Sequence, residues 1–197
     1  MSLQPAALPS MLENAHAMVP TLRECAGDVE RARRLPDCLA QSLADQGFYR
    51  MWVPERLGGL QMPLAPSLEV FEILASADPS VAWCVAISVS STLALPHLPP
   101  ATAAAIFDRP ERIIAGVYAP KGRAESCEGG FRVSGRWPFG SGTQNADWIL
   151  AGSRFFRDGE AILDKRGNPR IHMVVVPADQ VEFLDTWHVT GLAGTGS

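Results

Sequence analysis

The sequence predicts an α+β chain in two segments, helical over residues 1–111 and strand-rich over residues 112–197. Two observations carry this. Apolar residues in the first hundred positions sit in stretches bracketed by Pro, Asp and Gly at helix-end positions. After Arg112 the pattern becomes short apolar or alternating runs separated by Gly, Asp, Asn and Pro. Runs of strands following runs of helices argue for α+β.

In chain order, Met11 to Arg34 has helical composition, and Pro20 must kink or divide it. Pro36 at a first-turn position and Gly47 past the end bracket a second helix. Pro63 to Ala77 forms a third, its apolar side given by Leu68, Phe71, Ile73 and Leu74. Asp78 and Pro79 supply an N-cap and a first-turn proline for a fourth, Ser80 to Leu95. Being apolar nearly all round, that helix belongs inside the bundle. A short fifth helix, Ala101 to Phe107, ends before Pro110.

Strands are expected at Ile113 to Tyr118, Trp148 to Ala151, Ile171 to Val176 and Val181 to Val189. Another carries Phe131, Val133 and Trp137 alternating with Arg132, Ser134 and Arg136. Gly159 to Pro169 reads as an exposed hairpin loop. The last residues, Gly-Leu-Ala-Gly-Thr-Gly-Ser, follow a strand with no closing element. An open sheet edge there is a liability, so the sequence reads as unfinished.

Composition excludes several functions. With 197 residues, 47% hydrophobic, 19% charged and a net charge of −4, the balance is globular. Arg31, Arg33 and Arg34 form a small basic cluster flanked by Glu30 and Asp37, a solvated helix end and not a nucleic-acid or membrane contact. Cys25, Cys38, Cys84 and Cys127 are scattered without metal spacing and read as free thiols, Cys84 as a buried one. The N-terminus lacks the pattern of a signal peptide, and the uncharged run Val81–Leu98 suits a buried helix better than a membrane span. A cytoplasmic protein is expected. His16, His97, His172 and His188 are dispersed, and there is no dinucleotide fingerprint, phosphate-loop lysine or serine-hydrolase elbow.

Three Gly-, Ser- or Thr-rich loops remain: Tyr118–Ala124, Pro138–Gln144 and Gly191–Ser197. Glycine lets backbone approach a flat or phosphorylated ligand, and hydroxyls and N–H groups satisfy its polar edge. The bland alternative is that all three are tight turns.

The order of motifs resembles the acyl-CoA dehydrogenase superfamily over nearly the whole chain. Val53-Pro-Glu-Arg-Leu-Gly-Gly59 is similar to its turn after the second helix. Leu68-Glu-Val-Phe-Glu-Ile-Leu-Ala75 with Asp78-Pro-Ser-Val-Ala-Trp83 is similar to its next helix pair. More specific are Gly129–Gly142 with Ala146-Asp-Trp148, and Asp185–Ser197. These versions resemble the two-component flavin monooxygenases, such as the 4-hydroxyphenylacetate and steroid-phenol hydroxylases. Dehydrogenases usually carry Thr-Glu-Pro-x-x-Gly-Ser-Asp where this chain has Tyr118–Glu125, and Trp-Ile-Thr where it has Pro138–Gly140.

The resemblance implies an N-terminal helical domain, 1–111, and an antiparallel β-barrel domain, 112–197, truncated here. By the same resemblance, the rest of the barrel and a C-terminal helical bundle are expected to lie outside this sequence. It implies an oxygenase that receives reduced FMN or FAD from a separate flavin reductase and hydroxylates an aromatic or similar small substrate with O2. Full-length relatives form homo-oligomers, typically tetramers. Flavin positions would be Tyr118, Ala119, Pro120, Phe139, Gly140, Ser141 and Gly142, with Thr195 and Ser197. Gly140 has no side chain to reach the flavin N5 position, so Ser141 or a backbone N–H would replace it. Trp83 is a candidate wall of the substrate pocket or else a core tryptophan; Trp137 and Trp187 read as core. No catalytic residue is assigned, and no metal site is expected. An acyl-CoA dehydrogenase-like flavoenzyme and a non-catalytic remnant are the alternatives.

Overall fold

The computed structural model describes residues 7–197, with side-chain environments from Met11 onward. Residues 1–6, where the absence of a signal peptide is mainly read, lie outside the described residues.

Helix α1 (Ala7–Ala32) runs through Pro20 without dividing. Its buried face, Met11, Ala15, Met18, Leu22 and Val29, keeps helical spacing on both sides of the proline. Pro20 and His16, whose carbonyl loses its partner, both lie on the exposed side, where that carbonyl is not buried without a partner. Helix α2 (Asp37–Asp45) starts one residue later than a first-turn Pro36 implies, with Pro36 as its N-cap.

Between α2 and α3 the chain makes two tight turns around Arg50. This arginine is buried, donates to the Leu57 carbonyl at 2.6 Å and the Arg109 carbonyl at 3.3 Å, and lies over the Phe107 ring. A Cβ on Gly59 would stand 1.9 Å from the Val53 carbonyl oxygen. The Val53–Gly59 motif therefore fixes a backbone crossing and ties it to the exit of the helical segment.

Helix α3 (Leu64–Ala77) turns the expected Leu74, with Phe71 and Ile73 beside it, toward the core, but not Leu68. Ser67, Val70 and Leu74 are buried, whereas Leu68 is 54% exposed. Ser67 is tolerated inside because its hydroxyl donates to Pro63 and accepts from the Trp52 indole N–H. Helix α4 (Pro79–Ser91) is capped as expected: Asp78 accepts from the N–H groups of Ser80 and Val81 at 2.7 and 3.2 Å. It tightens into a 3₁₀ turn over Thr92–His97 ahead of Pro99, ending earlier than Leu95 as an α-helix. By length and composition Pro79–His97 could cross a membrane, but 56% of that stretch is buried inside the fold. Helix α5 (Pro100–Ile106) closes the helical segment.

The sheet contains β1 (Ile114–Cys127), β2 (Gly130–Ser134), β3 (Trp148–Arg157), β4 (Glu160–Ala161) and β5 (Ile171–Pro177). Its order is β2-β1-β3-β4, with β5 also on β3, and it is open among the described residues. It is mixed, which corrects the all-antiparallel expectation: β1 and β3 run parallel from Ile114/Trp148. Asp147 causes this. Its carboxylate accepts from the Ile113 N–H at 2.9 Å, and its own N–H donates to the Ile113 carbonyl at 2.8 Å, so β3 starts beside the start of β1.

Two further expectations change. Tyr118–Ala124 is not a loop but a bulge and its continuation within β1, where the pairing to β3 shifts between Val117 and Gly122. Val181–Val189 forms no strand; its backbone has no neighbour to pair with among the described residues and makes local contacts such as Thr186 N–H to the Leu184 carbonyl. Gly159–Pro169 is largely exposed as expected, but β4 lies within it and pairs back onto β3; beyond it the Asp164 carboxylate bridges the N–H groups of Arg166 and Asn168.

The main core joins α1–α4 to Ile113, Ala115 and Ile149 at the near end of the sheet. A smaller one packs Ile106 and Phe107 on Ile114 and Leu150. Both cores seat the sheet firmly against the helices.

Candidate functional site

The loop after β2 and the segment after β5 face each other across a cleft of about 620 Å³. Strand residues Ile149–Ala151 and Val176 floor it, and Trp137, Phe139 and Trp187 stand in its walls. Both tryptophans are half-buried, so neither is a core residue. Each is anchored by its one polar atom: Trp137 Nε1 donates to the Gly152 carbonyl at 2.8 Å, Trp187 Nε1 to the Leu192 carbonyl at 3.0 Å. The Trp137 ring lies where side chains on Gly122 and Gly135 would be, since added Cβ atoms would approach it to 2.3 and 2.9 Å.

Phe139 is 69% exposed and meets Trp187 edge-on, with centroids 5.9 Å apart. Its φ of +63° and that of Leu192, +54°, are conformations that side-chain-bearing residues seldom adopt. Such strain persists only where surrounding structure enforces it, and it concentrates at functional sites.

At one end of the cleft a chain of polar side chains joins three parts of the sequence. Trp83 of α4 donates through Nε1 to Ser141 Oγ at 3.0 Å. Ser141 Oγ is 2.6 Å from Ser197 Oγ, which is 2.7 Å from Thr195 Oγ1. Thr195 Oγ1 donates to the Leu192 carbonyl at 3.0 Å. Ser141 and Thr195 are buried, while Ser197 and Gly140 line the cleft. Gly142, with φ +70°, donates its N–H to the Thr195 carbonyl and packs against Cys84, locking the loop to the terminal turn and to α4. Burial pushes the Cys84 thiol up to about 12, with Asp78 adding to the effect. That thiol stays protonated and inert near neutrality.

Of the residues singled out in the sequence, Phe139, Gly140, Ser141, Gly142, Thr195 and Ser197 thus come together. Trp83 reaches the cluster through Ser141 and is 47% exposed, so it is not a core tryptophan. Tyr118, Ala119 and Pro120 do not line the cleft. The Tyr118 hydroxyl donates to the Ser90 carbonyl at 2.6 Å, and the bulge packs on Gly152, whose carbonyl holds Trp137. Trp137 and Trp187 are the residues that sequence reasoning misplaced; the glycines beside Trp137 were the available signal. Among the described residues, no group of His, Cys, Asp and Glu could hold a metal ion.

Residues 13–99 match the acyl-CoA dehydrogenase N-terminal domain family. That match lies within the helical segment of the chain. The chain's relatives include the oxygenase component of an FADH2-dependent resorcinol hydroxylase from Rhizobium sp. (strain MTP-10005), 35% identical over 89% of this chain and 42% of that protein. They also include the flavin-dependent monooxygenase oxygenase subunit HsaA of Mycobacterium tuberculosis, 32% identical over 100% of this chain and 48% of that protein. Among solved structures, XiaF from Streptomyces sp., in complex with FADH2 and glycerol, superposes with a TM-score of 0.86 at 30% identity, covering 98% of this chain and 47% of that one. The chain spans less than half the length of each of these relatives.

Proposed function

We propose that this chain provides the flavin cleft of the oxygenase component of a two-component monooxygenase, which hydroxylates an aromatic or similar small substrate with reduced flavin and O2. The observation that carries this reading is the convergence of Trp137, Phe139 and Trp187 with Ser197 on one cleft. A flavin fits these residues: its flat ring system requires apolar walls and a polar edge, which the aromatic side chains and the hydroxyl cluster supply. Likeness to named oxygenase components supports the same choice.

Trp137, Phe139 and Trp187 would hold the ring system, and the Gly140–Gly142 segment with Ser197 would meet its polar edge. Reduced flavin, when bound, supplies the two electrons that activate O2. The aromatic walls exclude water from the reacting edge. Either FMN or FAD is admitted, delivered by a separate reductase. Tyr118–Pro120 act indirectly in this account, through Gly152 and Trp137. We divide the chain into a helical domain, 1–111, and a sheet domain, 112–197, belonging to the barrel of this fold, and take the assembled enzyme to be a cytoplasmic homo-oligomer.

Anaerobic titration with reduced FMN and reduced FAD tests the reading. Saturable binding that Trp187→Ala weakens at least tenfold is expected. Turnover with a flavin reductase, NADH and a panel of phenols should then give hydroxylated product. A folded chain that binds neither flavin would sink it.

A further inference from the structure

Arg33 is not the solvated helix end that its sequence neighbours suggest: its side chain is 28% exposed and lines a second cavity behind the cleft. It stands just past the end of α1 with a φ of +53°, a place where helices commonly take glycine. An arginine is strained there, which points to a use for its side chain. Nη2 donates to the Asp185 carboxylate at 2.5 Å, and Nη1 donates to a ring nitrogen of His188 at 2.7 Å. Trp187 lies between these two partners in the sequence, its carbonyl 3.5 Å from Nη1. Among the described residues, every hydrogen bond that ties 182–189 to a remote part of the chain comes from Arg33. The others reach no further than Leu192.

The indole that Arg33 brackets has little else behind it. Trp187 stands between the cleft and a cavity of about 290 Å³ on the α1 side, lined by Arg33, Asp185 and Phe183. A side chain with open volume on both sides is not fixed by packing. Its other partners, Leu192 and Phe139, are themselves exposed. We propose that Arg33 is a positioning residue for the flavin cleft, holding Trp187 forward from behind without touching the ligand. The inference rests on the flavin reading above. Asp185 and His188 are both exposed, so these bonds add little to global stability. What they set is the place of the indole. The planar fork of a guanidinium reaches both partners at once, which a single ammonium cannot do.

The test is made on the full chain. Arg33→Gly deletes the fork and suits the left-handed backbone, so the urea midpoint should hold. With the indole forward only about a tenth of the time, reduced FMN titrated anaerobically should bind about tenfold more weakly. Methylguanidinium should enter the vacated site and restore most of that affinity. In a Trp187→Ala background the same substitution should change affinity by less than about twofold, because the wall it positions has gone. With fluorotryptophan incorporated, the Trp187 resonance of the ligand-free protein should broaden in Arg33→Gly while that of Trp52 stays. Equal affinity in Arg33→Gly and the wild type overturns the assignment and leaves the flavin reading standing. Absence of rescue, or equal losses in the two backgrounds, overturns it as well. If the wild type binds no flavin, the flavin reading falls, and an unmoved Trp187 resonance then removes the positioning role too. Should Arg33→Gly not fold, Arg33→Lys carries the test: it keeps the charge but loses the fork, and unaltered affinity there overturns the proposal.

Discussion

Replacing Gly194 by alanine probes how the terminal turn is seated against the helices. The new Cβ would lie 2.1 Å from Val29 Cγ1 and 3.1 Å from Ser80 Cβ. Val29 is 1% exposed, and as a β-branched residue within α1 it holds essentially one rotamer, so it cannot swing aside. Overpacking of this kind costs about 1–3 kcal/mol. Val29→Ala alone removes two carbons, about 1.6 kcal/mol of transfer free energy at roughly 0.8 kcal/mol each, and about 2 kcal/mol once the cavity is included. In the double variant, however, the vacated volume receives the new methyl. Its destabilisation should fall short of the sum by about 1–2 kcal/mol. Urea unfolding of the four proteins, followed by far-UV circular dichroism, measures this coupling. Additivity within about 0.5 kcal/mol would refute the proposed contact. Thr195 and Ser197 hang on the same turn, so flavin affinity should drop in Gly194→Ala and recover in the double variant.

Three other outcomes are expected. Burial raises the Cys84 thiol from an ordinary 9.0 to about 12, and the Tyr49 phenol upward as well. The folded chain thus keeps protons that the unfolded chain loses, and this stability is complete below the unfolded pKa and declines as pH rises through the folded one. The urea midpoint should fall between about pH 8 and about pH 10.5, less steeply in Cys84→Ala; equal slopes would contradict the assignment. Phe139→Gly removes a strained, exposed aromatic, so unfolding stability should stay within about 1 kcal/mol while flavin affinity falls, as calorimetry would register. Tyr118→Phe loses the bond to the Ser90 carbonyl and about 1 kcal/mol of stability, with the flavin dissociation constant unchanged; a tenfold weakening would place Tyr118 in the cleft after all.

Much of the helical segment was legible in the residues. The Asp78 cap, the proline that opens α4 and the glycine that ends α2 are local signals whose partners lie within a few positions. Leu68 misled because composition shows that a helix has an apolar side, not how far neighbouring elements rotate it inward. The loop around Ser141 was visible as a candidate site, and so was the terminal Gly-Thr-Gly-Ser. Their hydrogen-bonded contact was not, because Ser141 and Ser197 are fifty-six positions apart.

The sequence by itself determined the α+β class, the order of its helices and the residue types able to meet a flat polar-edged ligand. Only the tertiary structure decided that β1 and β3 run parallel, that Tyr118–Pro120 bulge away from the cleft, and that Trp137 and Trp187 are its walls. Capping and hydrophobic spacing act between near neighbours and leave a trace in a single chain. Strand pairing and the stacking of an indole on a distant glycine are settled only when remote segments compete for the same space. The Asp147 clamp on Ile113 and the seat of Trp137 against Gly122 are both of that second kind.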